Sequence, residues 1–302
     1  MGQPRLDTND FLSPIVLTAD SFTLPVDGAF AEPLSTQLLN PNRTAMLVDE
    51  FRFGTGFDVA AGATLDNDFA QIVADIKLGG APLTNGETPI RSFMPTYTQT
   101  TTVSFAVSDR QLTWHLPRPM YVPPNVQLHV KFRRKLPTGW SINDANAAYN
   151  FSIAGRSIPS GMQVPDKIYV PWAAAMAVFT DASLPFTSNN AAVANPHDEA
   201  LHMSYLCGYS YNSVQGSTIR MPVTVQASFS NGKLLIRDPT PFYALFPPDR
   251  PVMRLDGLLQ PKQFVQFFLD MPTTSVLYPN LIFTTIGLVG YRQVQTPQGA
   301  QP

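Results

Sequence analysis

The chain has little charge, almost no cysteine and no long apolar run, and each shortage closes off a class of protein. Charged residues make up 14% of its 302 positions, against about 25% in typical soluble chains. A surface so thinly charged stays soluble best when neighbouring subunits cover part of it, so an oligomer is expected. The net charge is −2 and the isoelectric point about 6.1, without the overall basic footprint of a nucleic-acid-binding protein. Cys207 is the single cysteine. An internal disulfide is thereby excluded, and the composition suits folding in a reducing cytoplasm. The thiol sits in the apolar stretch Tyr205-Leu206-Cys207, a setting for a small buried hydrophobe rather than a nucleophile. Residues 1–10 are polar and of mixed charge, unlike a signal peptide. The longest apolar run, residues 170–179, is about half the length that spans a bilayer. The chain is expected to be soluble when made.

Chemical motifs are equally scarce. The sequence holds no G-x-S-x-G elbow, no P-loop and no dinucleotide fingerprint. Gly54-Thr55-Gly56 reads as a loop, not a phosphate cradle. Asp49 and Glu50 are adjacent on an expected strand, so alternation sends them to opposite faces and they do not form a hydrolytic pair. Of the four histidines, His115 and His129 fall on polar strand faces. His197-Asp198-Glu199 with His202 is the one metal-like cluster, since His-x₄-His on a helix aims two nitrogens at one ion and a carboxylate adds oxygen. His197, however, lies in an expected turn and His202 in the strand that follows, so a shared direction is not expected. The basic cluster Arg133-Arg134-Lys135 continues a strand pattern and reads as a solvated strand end or subunit contact. Asn42-Arg43-Thr44 and Asn150-Phe151-Ser152 match the glycosylation sequon, which carries no weight without a secretory signal. No catalytic, cofactor-binding or metal-ligating residue is assigned, no cofactor is expected, and the chain reads as a non-enzyme.

What the sequence does hold is proline, aromatics and alternation. It has 29 prolines, 20 phenylalanines and 10 tyrosines, and proline is tolerated at turns and sheet edges but not in helix interiors or central strands. Val126, Leu128, Val130 and Phe132 alternate with Gln127, His129, Lys131 and Arg133, the pattern of a half-buried strand. Met221, Val223, Val225, Ala227 and Phe229 repeat it, as do Ile72, Ala74, Ile76 and Leu78 up to Gly79-Gly80. Two hairpins are expected, one turning at Ser108-Asp109-Arg110 between Val103-Phe105-Val107 and Leu112-Trp114-Leu116, the other at Ser230-Asn231-Gly232. Only residues 172–179 and 66–73 read as short helices. The class is all-β.

The two halves of the chain also resemble each other, in the same order. Asn40-Pro41-Asn42-Arg43-Thr44-Ala45-Met46 matches Asn195-Pro196-His197-Asp198-Glu199-Ala200-Leu201. Pro117-Arg118-Pro119-Met120-Tyr121 matches Pro239-Thr240-Pro241-Phe242-Tyr243. Val126-Gln127-Leu128-His129-Val130 resembles Lys262-Gln263-Phe264-Val265-Gln266, and Ile153-Ala154-Gly155-Arg156 resembles Leu288-Val289-Gly290-Tyr291-Arg292. Unequal offsets between the matches suit retained strands joined by variable loops. Two copies of one β-module of about 125 residues are expected, each a jelly-roll sandwich.

With its paired Asn-Pro strand entries, paired Pro-x-Pro-[Met/Phe]-Tyr segments and polar extensions, the chain resembles the double jelly-roll major capsid proteins of tailless icosahedral viruses. This is the family of adenovirus-like viruses and membrane-containing bacteriophages. The resemblance covers residues 39–292 and implies two tandem jelly rolls with short helices in loops. The boundaries it suggests are an N-terminal arm over 1–35, a first jelly roll over 36–160, a second over 161–294 and a tail over 295–302. It implies a structural major capsid protein that trimerises into pseudo-hexagonal capsomers and tiles an icosahedral shell, placed in the virion after synthesis in the host cytoplasm. Its partner would be itself, as a homotrimer and then as neighbouring capsomers. Minor capsid or vertex proteins and an internal membrane are further partners the resemblance allows, and no specific nucleic acid is expected. The terminal arms would order only in the assembly. The alternative reading is a carbohydrate-binding, lectin-like β-sandwich, with the loop residue Trp140 as its best aromatic platform.

Overall fold

The structure is a computed structural model that describes residues 13–18, 22–25, 28–31, 45–55, 69, 72–95, 111–124, 126–135, 148–159, 167–179, 188–212, 223–247, 250–270 and 282–295. The first half contributes β1 (Ser13–Thr18), β2 (Phe22–Thr23), β3 (Met46–Thr55), β4 (Ile72–Leu78), β5 (Ala81–Pro82), β6 (Thr88–Pro89), β7 (Gln111–Val122), β8 (Leu128–Arg134) and β9 (Ala148–Ser157). The second contributes β10 (Lys167–Phe179), β11 (Ser188–Ala194), β12 (Leu201–Asn212), β13 (Thr224–Phe229), β14 (Leu234–Pro241), β15 (Val252–Leu259), β16 (Phe264–Asp270) and β17 (Ile282–Gln295). A short helix, α1 (Phe242–Leu245), follows β14.

The second half is an eight-stranded jelly roll. Its sheets run β10-β17-β12-β15 and β11-β16-β13-β14; counted from β10, these are the first, eighth, third and sixth strands against the second, seventh, fourth and fifth. The first half repeats the arrangement. Its sheet β1-β9-β3-β7 matches β10-β17-β12-β15, and β8, β4, β5 and β6 form the facing sheet. The position that β11 fills in the second module is held in the first by an antiparallel bridge between Ala31 and Phe132, closed by backbone bonds of 2.8 and 2.9 Å. The fold is a double jelly roll.

The described residues 13–18, 22–25 and 28–31, read from sequence as part of a terminal arm, pack with the first sandwich. β1 pairs along β9 from Ser13–Ser157 to Thr18–Ser152, and β2 pairs with β9 at Phe22 and Thr23. The run Ser13-Pro14-Ile15-Val16-Leu17-Thr18 is too short and too uniformly apolar to show alternation, which is why pattern alone missed it. The helix expected over 172–179 is strand β10. Of the one expected over 66–73, Phe69 is helical, Ile72 and Val73 belong to β4, and the rest lies outside the described residues. Trp172, Ala173 and Ala174 of β10 are all buried. A strand covered on both faces loses its period of two and looks like a helix segment.

Alternation works where one face is wet. In β8, Leu128, Val130, Phe132 and Arg134 are buried while the residues between them are partly exposed. The turn at Ser230-Asn231-Gly232 joins β13 to β14 as expected: Gly232 has φ 80°, and the Phe229 N–H donates to the Lys233 carbonyl at 2.8 Å. Residues 101–110, where the first hairpin was expected to turn, lie outside the described residues. Prolines within strands sit on edges: Pro14 in β1, Pro117 and Pro119 in β7, Pro171 in β10, Pro239 and Pro241 in β14. An edge strand has one side on which the missing N–H breaks no ladder.

Among the described residues, three of the four internal matches reach corresponding strands: β3 with β12 at Met46 and Leu201 (residues 40–44 lie outside the described residues), β8 with β16, and β9 with β17. The fourth does not. Pro117–Tyr121 lies in β7, the sixth-position strand, whereas Pro239–Tyr243 runs from β14, the fifth, into α1. Its signal came from edge-strand proline, which recurs for a general reason.

The first core is aromatic, with Phe51, Phe53, Phe69, Phe93, Trp114, Phe132, Tyr149 and Phe151 essentially inaccessible. The second centres on Trp172, Leu201, Leu206, Val225, Phe267, Ile286 and Leu288. Val170, Ala173 and Val289 of the second module pack into the first core, so the modules are fused rather than strung together.

Candidate functional site

Three features could carry function: the outer sheet faces, the metal-like cluster and the joint between modules. The sheet faces are shaped by a bulge at the same place in each module. β3 shifts register between Val48 and Glu50 against both neighbours, and β12 shifts between Met203 and Tyr205. Gly155 of β9 lies opposite Val48 and Gly290 of β17 opposite Met203, so each glycine receives the kinked strand.

The bulge overturns the reading of Asp49 and Glu50 as facing opposite ways. The extra residue cancels one step of alternation, and both side chains leave the core. Asp49 accepts from Arg156 Nη2 at 2.9 Å and Nε at 3.2 Å. Glu50 pairs with Arg52 and lies 2.9 Å from His115 Nδ1. Each carboxylate has its own cation, an arrangement that stiffens a sheet face.

The histidine cluster is split across the sheet. The His197 ring stands edge-on to Trp172 at 5.8 Å, on the core side, and its backbone N–H donates to Asn195 Oδ1 at 3.0 Å. Burial first, and Arg292 second, hold its imidazole below the ordinary pKa, favouring the neutral ring. His202 stacks flat on Tyr291 at 4.9 Å, on the outer face. Among the described residues, no three His, Cys, Asp or Glu side chains converge.

The Asn-Pro entry has a structural task. Asn195 is 2% exposed, and its Nδ2 donates to the carbonyls of Glu199 and Leu259, both at 2.9 Å. It ties the strand entry to β15. Asn195→Ala is expected to lower stability by about 2 kcal/mol, since it strands buried carbonyls. The readout is a lower urea midpoint with an unchanged slope.

In the basic cluster, Arg133 pairs with Glu87, while Arg134 is 3% exposed and donates to Tyr149 Oη at 3.0 Å. Arg134 is therefore a buried core bracket rather than a solvated strand end. Asn150 lies within β9 and Gly54-Thr55 end β3; Asn42, Gly56 and Trp140 lie outside the described residues.

The joint is the most extensively built feature. The turn after β5 crosses to β10: Ala173 N–H donates to the Leu83 carbonyl, and Asn85 N–H to the Ala173 carbonyl, both at 2.9 Å. The 3₁₀ turn Ile90–Ser92 then lies on β17 and β12. A Cβ on Gly287 would come within 2.0 Å of the Ser92 carbonyl, so only glycine lets the turn sit there. Arg91, 4% exposed, places its guanidinium 4.6 Å over the Tyr209 ring and 5.4 Å over Phe69, spanning both modules. Nothing in the sequence pattern around Arg91 marked it.

Cys207 lies under this turn, its thiol 3.4 Å from the Arg91 carbonyl. Burial pushes the thiol pKa up to about 12, so the nucleophilic thiolate is scarcely populated. Native protein is expected to resist iodoacetamide at about pH 8 and to label fully once unfolded. Rapid labelling of native protein, read by intact mass, would contradict this burial.

No protein-family model matches the chain, and no curated protein matches it. Solved structures do. The chain of the atomic structure of Sulfolobus turreted icosahedral virus shares 14% identity over 93% of this chain and 90% of its own, with a TM-score of 0.52. The crystal structure of the STIV major capsid protein covers 93% of this chain and 96% of its own, at 14% identity and a TM-score of 0.51. The PBCV-1 virus capsid covers 96% and 95%, at 10% identity and a TM-score of 0.50. What this chain shares with these capsid structures is the double jelly-roll fold.

Proposed function

We propose that the chain is a structural major capsid protein, three copies of which form a pseudo-hexagonal capsomer that tiles an icosahedral shell. The observation that carries this reading is the fusion, in one chain, of two jelly rolls with the same strand order. Three such chains supply six near-equivalent modules, which suits a position of sixfold packing. The capsid structures of like fold support the same role. A joint built from buried backbone bonds, a close glycine contact and a buried arginine keeps the modules in one orientation, as a tile requires. The role is mechanical and needs no catalytic group. On this reading the chain acts in the virion, after synthesis in the host cytoplasm.

Light scattering behind size exclusion tests it. The expected mass is three times 33.2 kDa, and a monomer at every concentration would contradict the proposal.

A further inference from the structure

The joint between the modules has two halves, and each half recurs, uncovered, elsewhere on the chain. Within the joint, β7 is the sixth-position strand of the first module and β10 the first-position strand of the second. Their counterparts are β15 and β1. Both are sheet edges.

Register fixes the correspondence residue by residue. Tyr121 of β7 lies opposite Leu47, and Leu258 of β15 lies opposite His202, each one step from its module's bulge. Tyr121 is 5% exposed, packed with Ile158 and Ile168, whereas Leu258 is 47% exposed. On the other half, Ala173 lies opposite Val289 and Val16 opposite Ala154, each pair next to the close-contact glycine of β17 or β9. Ala173 is 0% exposed and Val16 is 55% exposed. The strand after the fourth-position strand gives no such contrast at Leu83 itself: Leu83, bonded to Ile76, corresponds to Ile236, paired with Ala227, and both are buried. Two residues before Ile236, however, Leu234 is 48% exposed. Leu234 and Leu258 line one groove of about 260 Å³ with Phe229, Leu235 and Leu255.

Two large hydrophobic residues, Val16 and Leu258, are thus exposed at positions whose counterparts are buried at the joint, and Leu234 lies exposed in the same groove as Leu258. We propose that β15 and the 230–234 turn of one copy dock β1 of a second copy, repeating between chains the joint that fuses the modules within one. Such a contact is heterologous: one copy's groove takes the next copy's strand, and it closes into a ring or runs on as a filament. Closure at three copies rests on the capsomer reading; the contact itself rests on the repeated joint.

Cysteine cross-linking tests the contact. In the joint, Ala173 and Leu83 are hydrogen-bonded neighbours. Val16 is the counterpart of Ala173, and Leu234 opens the strand equivalent to the Leu83 segment, so Val16 and Leu234 should come within disulfide reach across copies. The double variant V16C/L234C, oxidised as the assembled full chain, is expected to give covalent dimers and trimers on non-reducing gels, and each single variant none. A species of trimer mass without cross-links would overturn the docking proposal and leave the capsomer reading standing. Dimers from V16C alone would show β1 pairing with itself and would also overturn the proposal. A chain that remains monomeric overturns both. Leu258→Lys provides a second arm. It is expected to raise the concentration for half-assembly roughly tenfold or more without moving the unfolding midpoint of the dissociated chain, measured at a concentration where neither protein assembles; unchanged assembly would count against the contact.

Discussion

Gly155→Ala and Gly290→Ala are each expected to lower stability by about 3 kcal/mol, at the upper end of what overpacking costs. A Cβ on Gly155 would lie 2.1 Å from the Leu47 carbonyl oxygen, and one on Gly290 2.2 Å from that of His202. Both obstacles are backbone, which cannot rotate aside as a side chain would. Neither glycine has a positive φ, so the requirement is for space, not for a left-handed conformation. The cause is the bulge in β3 and in β12, which brings one carbonyl of the kinked strand against the neighbouring strand. Because the two glycines serve separate modules, their effects should add in the double variant. Urea unfolding measures this, and an unchanged midpoint for either single variant would contradict the register described for the bulges.

Phe53→Ala is expected to cost about 4 kcal/mol. The ring is fully buried and lies 4.8 Å from Phe132, 5.5 Å from Tyr149, 5.9 Å from Phe69 and 6.3 Å from Phe22. Phe53 comes from one sheet of the first sandwich and Phe132 from the other, so the ring bridges the layers. Removing it leaves a cavity lined by stiff aromatic rings that cannot collapse into the space. Phe53→Leu keeps most of the volume and should cost far less. A loss below about 1 kcal/mol for the alanine variant would mean that the sandwich interior is not packed as described. Thermal and urea unfolding both report it.

How much of this was legible in the sequence depended on whether a strand has one wet face. β8 and β13 do, and their alternation gave both existence and orientation. β10 does not, because its far face is covered by the neighbouring module, so its apolar run imitated a helix. The repeat was readable at Asn195, Gly155 and Gly290 because each has a local physical task that few residues can perform. It misled at Pro117–Tyr121, where proline marked an edge strand in each module but not the same one. The facing of Asp49 and Glu50 was lost to a bulge, which sequence alternation cannot show. Arg91 and Arg134 were unreadable as buried groups, since the aromatic rings and hydroxyl that hold them come from distant parts of the chain.

Electron cryomicroscopy of the purified oligomer tests the central claim most directly. The account predicts a three-chain particle of hexagonal outline in which six sandwiches alternate first and second module around the ring. A twofold dimer, or a monomer showing only its own two sandwiches, would contradict it.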